Sequence, residues 1–252
     1  MHRLLAETSE LEKDVPTLSK EARNHLKVVR PRDGEPVELS DGRGALRTYA
    51  FSASGRELRA VSPLRRSGRP YGGGLALFAC VTKGSRWDWT VEKATELGVG
   101  RIVPVISART IVRIPPDERA AKRDRWRRIA EEAARQSDAA WLPEVLEPVD
   151  FRDSLPLAKA TTCFVGALMD PPPRPLAAAA AEALSNGGFP GGVSLYVGPE
   201  GDFAPEELAA LLEFAVPTSF GPTVLRAETA AIFGVSVLAS GLSSSAAAIR
   251  TS

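Results

Sequence analysis

The sequence predicts an α/β protein of two domains, and three observations predict it. From Leu75 onward, short apolar runs are each closed by Gly or Pro and followed by a helical pattern, the alternation of a parallel sheet with crossover helices. Before residue 70, strand-like runs recur about every ten residues between turn signals, the spacing of a small β-barrel. Between the two, residues 65–74 (RRSGRPYGGG) are aperiodic and full of breakers, as a domain boundary is. The domains are accordingly placed at 1–70 and 75–246.

The chain has 252 residues, enough for two cores, and its 44% hydrophobic and 25% charged residues are those of a soluble globular protein. No apolar run approaches the ~20 residues of a membrane helix, and the opening MHRLLAETSELEKD has no signal-peptide core. Cys80 and Cys163 lie in apolar runs (ALFACV, TTCFVG) and read as buried thiols. With no CxxC and only His2 and His25 as histidines, neither a metal site nor a Cys-His nucleophile is supported, and a reducing cytoplasm is expected. Charge is uneven. Residues 1–135 hold 27 Lys and Arg against 18 Asp and Glu, whereas residues 136–252 hold 5 against 13. A basic first half on a nearly neutral chain fits one anionic partner, and equally a set of solvated helix faces.

In the first domain, strands are expected at 36–39, 45–51 and 57–61, with turns at 31–34, 40–42 and 54–55. Ser19 can open a short helix that ends near His25 and Leu26. Arg23, Lys27, Arg30 and Arg32 form a close basic cluster able to meet phosphates.

In the second domain, the run 75–81 is a buried strand. Ser85 can cap the next helix, with Asp88 three residues on, and Gly98 can end it. Residues 101–106 complete a βαβ unit with parallel strands. Lys93 and Glu96 at i, i+3 read as an exposed ion pair. Residues 117–136 form a basic helix with Trp126, Ile129, Ala130 and Ala133 on one face. Residues 161–168 are a further strand leading into a Pro-rich loop, and 176–184 an Ala-rich helix.

The chain is organised around 195–233. Leu195-Tyr196-Val197 is a short strand broken by Gly198-Pro199-Glu200-Gly201, and Pro205 can take the first helical position with Glu206 and Glu207 behind it. The pattern repeats: Phe220 closes a strand, Gly221-Pro222 turns, and a helix runs from about Glu228 to Leu242. Each loop alone is an ordinary βα connection. Two together, with Arg226 and Glu228 beside the second, suggest ligand loops side by side at the carboxyl edge of a parallel sheet. No Gly-Lys-Ser/Thr follows the glycines, which excludes a P-loop, and no GxGxxG opens a helix. The last helix carries Ala231, Val235, Leu238 and Ala239 on one face, which reads equally as a core helix or as one packed on a second subunit. The tail from 243 is expected to fray.

GPEGDF followed by GPTVLRAETA resembles the signature of the ribosomal RNA small-subunit methyltransferase E (RsmE) family. KGSRWDWTVEKATELGVGRIVPV agrees with it at Lys83, Arg86, Lys93, Glu96, Leu97, Gly98 and Pro104, and HLKVVRPRDGEPVELSDGRG at His25, Arg30, Gly34, Asp41 and Gly42. One departure stands out: Asp138-Ala139 occupies the place of the family's Gly-Arg pair. The resemblance implies a SPOUT-type, trefoil-knotted α/β methyltransferase domain behind a PUA-like β-barrel. It implies a homodimer that uses S-adenosyl-L-methionine to methylate N3 of a uridine in 16S ribosomal RNA, within the small ribosomal subunit.

On that basis Leu168, Val197, Gly198, Pro199, Gly201, Phe220, Gly221 and Leu225 are the expected cofactor residues. Arg23, Lys27, Arg30, Lys83 and Arg86 are the expected RNA contacts. Arg226 would stabilise the uracil anion. Glu228 would orient Arg226 or take the proton, and serves equally well as a first-turn acid of its helix. The alternatives are a methyltransferase for another RNA site and a non-catalytic RNA-binding protein of the same fold.

Overall fold

A computed structural model describes residues 2–54 and 56–250, with the backbone alone for 244–250. Packing divides the chain into two units, residues 1–69 with 134–142, and residues 70–133 with 143–252.

The first unit contains β1 (His2–Leu5), α1 (Thr8–Leu11), α2 (Lys20–Val29), β2 (Pro36–Ser40), β3 (Ala45–Ser52), β4 (Glu57–Ala60) and β5 (Arg65–Arg66). Ser19 caps α2 as expected, its Oγ accepting the Ala22 N–H at 3.1 Å. Asp41 shapes the β2–β3 turn, its Oδ1 accepting from the N–H groups of Arg43 (2.7 Å) and Ala45 (3.0 Å). The sheet runs β1-β2-β3-β4, with β5 also on β3. Among the described residues no pairing joins its ends, so the expected closed barrel is here an open sheet around Leu4, Leu11, Val37, Leu39, Tyr49 and Leu58. Strand β1 escapes sequence reading because Arg3 is buried in it. The fully buried Glu38 of β2 accepts from Arg3 Nε at 2.8 Å, and its other oxygen meets Arg65. Residues 65–66, expected in a linker, thus belong to this sheet. Residues 134–142, expected in the second domain, join the same unit, and Trp141 Nε1 donates to the Ser67 carbonyl at 2.9 Å.

The second unit opens with a 3-10 turn at Pro70–Gly73. It contains β6 (Leu75–Cys80), α3 (Ser85–Glu96), β7 (Arg101–Ile106), α4 (Pro116–Gln136), β8 (Glu144–Val145), β9 (Val149–Asp150), α5 (Phe151–Ala158) and β10 (Thr162–Gly166). After these come α6 (Leu176–Ser185), β11 (Val193–Val197), α7 (Pro205–Leu212), β12 (Ala215–Thr218) and α8 (Ala227–Arg250). The sheet order is β12-β10-β11-β6-β7-β8, with β9 also on β7, and every pairing is parallel.

Both faces of this sheet are covered, which is why its strands read as continuous apolar runs. Leu75, Leu77, Val193, Leu195 and Phe164 face one core with α3, α4, α6 and α8; Phe78, Cys80, Val103, Val165 and Tyr196 face the other with α5 and α7. In the first core Trp126 of α4 meets Trp87 of α3 edge-on, ring centroids 5.5 Å apart. Pro205 takes the first position of α7, as expected.

Three expectations need correction. Ser85 lies inside α3 behind Gly84 and makes no cap bond; Asp88 instead accepts both Nη groups of Arg125, at 2.7 and 2.5 Å. Strand β12 ends at Thr218, two residues before Phe220. Of the two readings left open for α8, the core reading holds: Ala231, Val235, Leu238 and Ala239 are buried in this chain's own core. The backbone of α8 is helical to Arg250, where a frayed tail was expected; residues 251–252 of that tail lie outside the described residues. Lys93 does pair with Glu96, at 2.8 Å, and also with Glu92. Among the described residues no helix is long and apolar enough to cross a membrane, and no cluster could hold a metal ion.

Candidate active site

Because the strands are parallel, the segments that leave β10, β11 and β12 emerge at one sheet edge. The two Gly-Pro loops are not neighbours, since β10 lies between β11 and β12. Its exit, Gly166-Ala167-Leu168, forms the middle of the site. The three segments are tied together: the Ala167 N–H donates to the Thr218 carbonyl (3.1 Å), Thr218 Oγ1 to the Val165 carbonyl (3.1 Å), and the Leu168 N–H to Asp202 Oδ2 (3.3 Å).

These segments and the first turns of α8 enclose one cavity. Seven of the expected cofactor residues line it: Leu168, Val197, Gly198, Pro199, Phe220, Gly221 and Leu225. Gly201 does not; its carbonyl turns to Arg109, accepting from Nη1 at 2.8 Å. Sequence reading missed Asp202, Thr218, Ser219, Thr223 and Ala230, which also line it. Asp202 could have been found, since it stands inside GPEGDF. It adopts a left-handed backbone (φ +60°), which Asp tolerates better than most residues, and its Oδ1 accepts its neighbour Phe203's N–H at 2.8 Å. Gly166 is required by packing: a Cβ there would stand 2.5 Å from the Phe220 ring. The walls are mostly apolar, and the charged residues lining the cavity, Glu200 and Asp202, are both acids.

Arg226 lies between the lining residues Leu225 and Ala227. Its side chain is exposed, and among the described residues its guanidinium has no hydrogen bond or ion pair. Glu228 is mostly buried, and it does not orient Arg226. Its Oε1 is 3.8 Å from Arg86 Nε, while its buried Oε2 has no hydrogen-bond partner. Arg86, expected at RNA, also reaches Glu200 Oε1 with Nη1 at 3.4 Å. Lys83 is exposed in the loop after β6. Arg23, Lys27 and Arg30 belong to the first unit, where they line a separate groove with Arg56; Arg32 does not line it.

Burial holds the thiols of Cys80 and Cys163 up to about 12, far from any nucleophile's range. The Tyr196 hydroxyl is also raised by burial, and donates to Ser154 Oγ at 2.9 Å. None of these three lines the cavity.

The parallel sheet with its cavity at the carboxyl edge is an α/β fold, and its likeness to two solved methyltransferases makes it an α/β methyltransferase fold. Residues 73–239 match the family model described as RNA methyltransferase domain. The ribosomal RNA small subunit methyltransferase E of Mycobacterium bovis is 34% identical over 81% of this chain and 78% of its own length. That of Bacillus subtilis is 32% identical over 62% of this chain and 61% of its own length, under two thirds of that relative. Among solved structures, the Neisseria gonorrhoeae ribosomal RNA small subunit methyltransferase E bound to S-adenosyl methionine superposes with a TM-score of 0.80, at 25% identity, covering 95% of this chain and 97% of that one. A Legionella pneumophila methyltransferase in complex with the same cofactor gives 0.77 at 29% identity, covering 94% and 96%. The chain belongs to the ribosomal RNA small subunit methyltransferase E family.

Proposed function

We propose that this protein is an S-adenosylmethionine-dependent methyltransferase acting on N3 of a uridine in 16S ribosomal RNA. The observation that carries the reading is the cavity at the carboxyl edge of β10, β11 and β12. Its apolar walls suit a purine, its two charged lining residues are acids that suit a cationic ligand, and the guanidinium of Arg226 stands free beside it. A phosphate-bearing cofactor would need the opposite charge there. Leu168, Val197, Gly198, Phe220 and Leu225 would hold the cofactor, whose sulfonium supplies the methyl group.

The chain's own task is to prepare the uracil. N3 is a poor nucleophile until it loses its proton. Arg226 offsets the negative charge that then develops on the base. Glu228 Oε2, a buried oxygen without a donor among the described residues, would accept that proton through one water once the bound base brings the water to it. Positioning and exclusion of water by the apolar walls account for the rest.

The finer features of the family resemblance belong to the same proposal. They are a trefoil threading of the second unit and a PUA-like character of the first. They also include RNA contacts at Arg23, Lys27, Arg30, Lys83 and Arg86, a cytoplasmic location with the small ribosomal subunit as partner, and a homodimer. A second copy would cover the exposed Leu168 and Val224 at the cavity and Phe233 beside Phe220. The test is to incubate the protein with unmodified small-subunit RNA and the methyl donor, then digest and analyse nucleosides by mass spectrometry. New 3-methyluridine is expected. Another methylated nucleoside would move the target, and no donor affinity by calorimetry would leave a non-catalytic RNA-binding protein.

A further inference from the structure

The first unit carries a second cavity, a groove between α2 and the turn that follows β3. Arg23, Lys27 and Arg30 fall at i, i+4 and i+7, on one side of α2 and its C-cap. Arg56 faces them from the β3–β4 turn, and Phe51 and Leu26 give the groove an apolar surface. Its volume of about 560 Å³ lies within the range of small-ligand sites.

Two observations mark this groove as a binding surface. Among the described residues no acidic one lines it. Among the described residues none of its four cations makes a hydrogen bond or ion pair through its side chain, although Arg3, Arg47, Arg59 and Arg65 of the same unit all do. Arg30 holds the left-handed backbone of a helix C-cap (φ +49°), its N–H donating to the Leu26 carbonyl, and Arg56 in the facing turn is left-handed as well (φ +48°). The result is an excess of positive charge beside one half-buried aromatic ring.

We propose that this groove holds one unstacked nucleotide of single-stranded RNA, its base on the Phe51 ring and the flanking phosphates on Arg23, Lys27, Arg30 and Arg56. This deepens the RNA reading above and rests on it. A π-face accepts any base, while the cations track the backbone, so the groove grips an unpaired strand without reading its sequence. It thereby selects RNA whose bases are already out of a helix, the state in which a uridine exposes N3.

The test uses the full-length protein and a single-stranded octaribonucleotide carrying 2-aminopurine at its centre. Fluorescence is titrated at several salt concentrations. The expected result is a rise in fluorescence on binding, because lifting 2-aminopurine off its neighbouring bases relieves the quenching they impose. Phe51→Leu, which keeps an apolar side chain in the adjoining core, should abolish that rise and weaken binding about tenfold. Arg56→Gln should lower the slope of log affinity against log salt by about 0.7. An unchanged fluorescence rise and slope in both variants, with RNA still bound, would overturn this assignment and leave the proposed function standing. Displacement of the oligonucleotide by an equal concentration of an oligoglutamate peptide would overturn the nucleotide as occupant. No RNA binding by the wild-type protein at low salt would instead strike the RNA reading itself.

Discussion

Arg86 Nε stands 3.8 Å from Glu228 Oε1, and the same guanidinium reaches Glu200 Oε1 at 3.4 Å through Nη1. One side chain from the first turn of α3 therefore bridges the loop after β11 and the start of α8. At these distances, and with Arg86 nearly half exposed, the pairs contribute little to folding, roughly 0–1 kcal/mol each. Their consequence is the placement of Glu228. Arg86→Gln is expected to leave the melting temperature within a few degrees of wild type while lowering methyl transfer about tenfold. Thermal unfolding and kcat/KM on the same samples check this split.

Among the described residues the exposed Arg226 side chain has no partner to lose, so its replacement should not disturb the fold. Arg226→Ala is expected to reduce kcat by about 10²–10³, the typical effect of removing one group that stabilises developing negative charge. Donor affinity should stay unchanged by calorimetry. The deficit should narrow as pH rises, because the base then ionises without assistance. A pH-independent deficit would argue that Arg226 only positions the RNA.

The Gly166 position tests the cavity wall. A Cβ there would lie 2.5 Å from Cε2 and Cζ of Phe220, so Gly166→Ala forces that ring to shift. Stability is expected to fall by about 1–3 kcal/mol, as in other overpacked sites, and the donor to bind more weakly. Adding Phe220→Leu should recover most of the stability. Denaturant unfolding of the single and double variants measures both.

The buried thiols give a pH signature. Cys80 and Cys163 are raised from about 9 to about 12 in the folded protein, so the native state holds those protons more tightly than the unfolded chain. Their stabilisation is complete below pH 9 and is lost as pH climbs toward 12. The fall is at most about 1.4 kcal/mol per pH unit for each thiol. Iodoacetamide at pH 8 should label neither cysteine in the native protein and both in denaturant, as read by intact mass.

Much of this fold was legible because both faces of the second sheet are covered. Strands such as Leu75–Cys80 and Val193–Val197 are then apolar at nearly every position, and local pattern suffices. Strand His2–Leu5 was not legible, since its buried Arg3 makes sense only once Glu38, 35 residues away, is opposite. Sheet order was hidden for the same reason, and with it the position of β10 between the two motif loops. Glycines and apolar residues of those loops could be named from the motif. The partner of Glu228 could not, because Arg86 lies far away in the chain and arrives there through a helix whose docking is a property of the whole core. Phe51 and Arg56 were invisible as groove residues because the turn that faces α2 is ordinary in sequence.

A crystal structure with S-adenosylmethionine bound is the decisive measurement. The cofactor is expected between Leu168, Val197 and Leu225, with its methyl group facing the open side where Arg226 stands. A cofactor lodged elsewhere, or Arg226 directed into solvent away from the methyl group in the complete assembly, would contradict that arrangement.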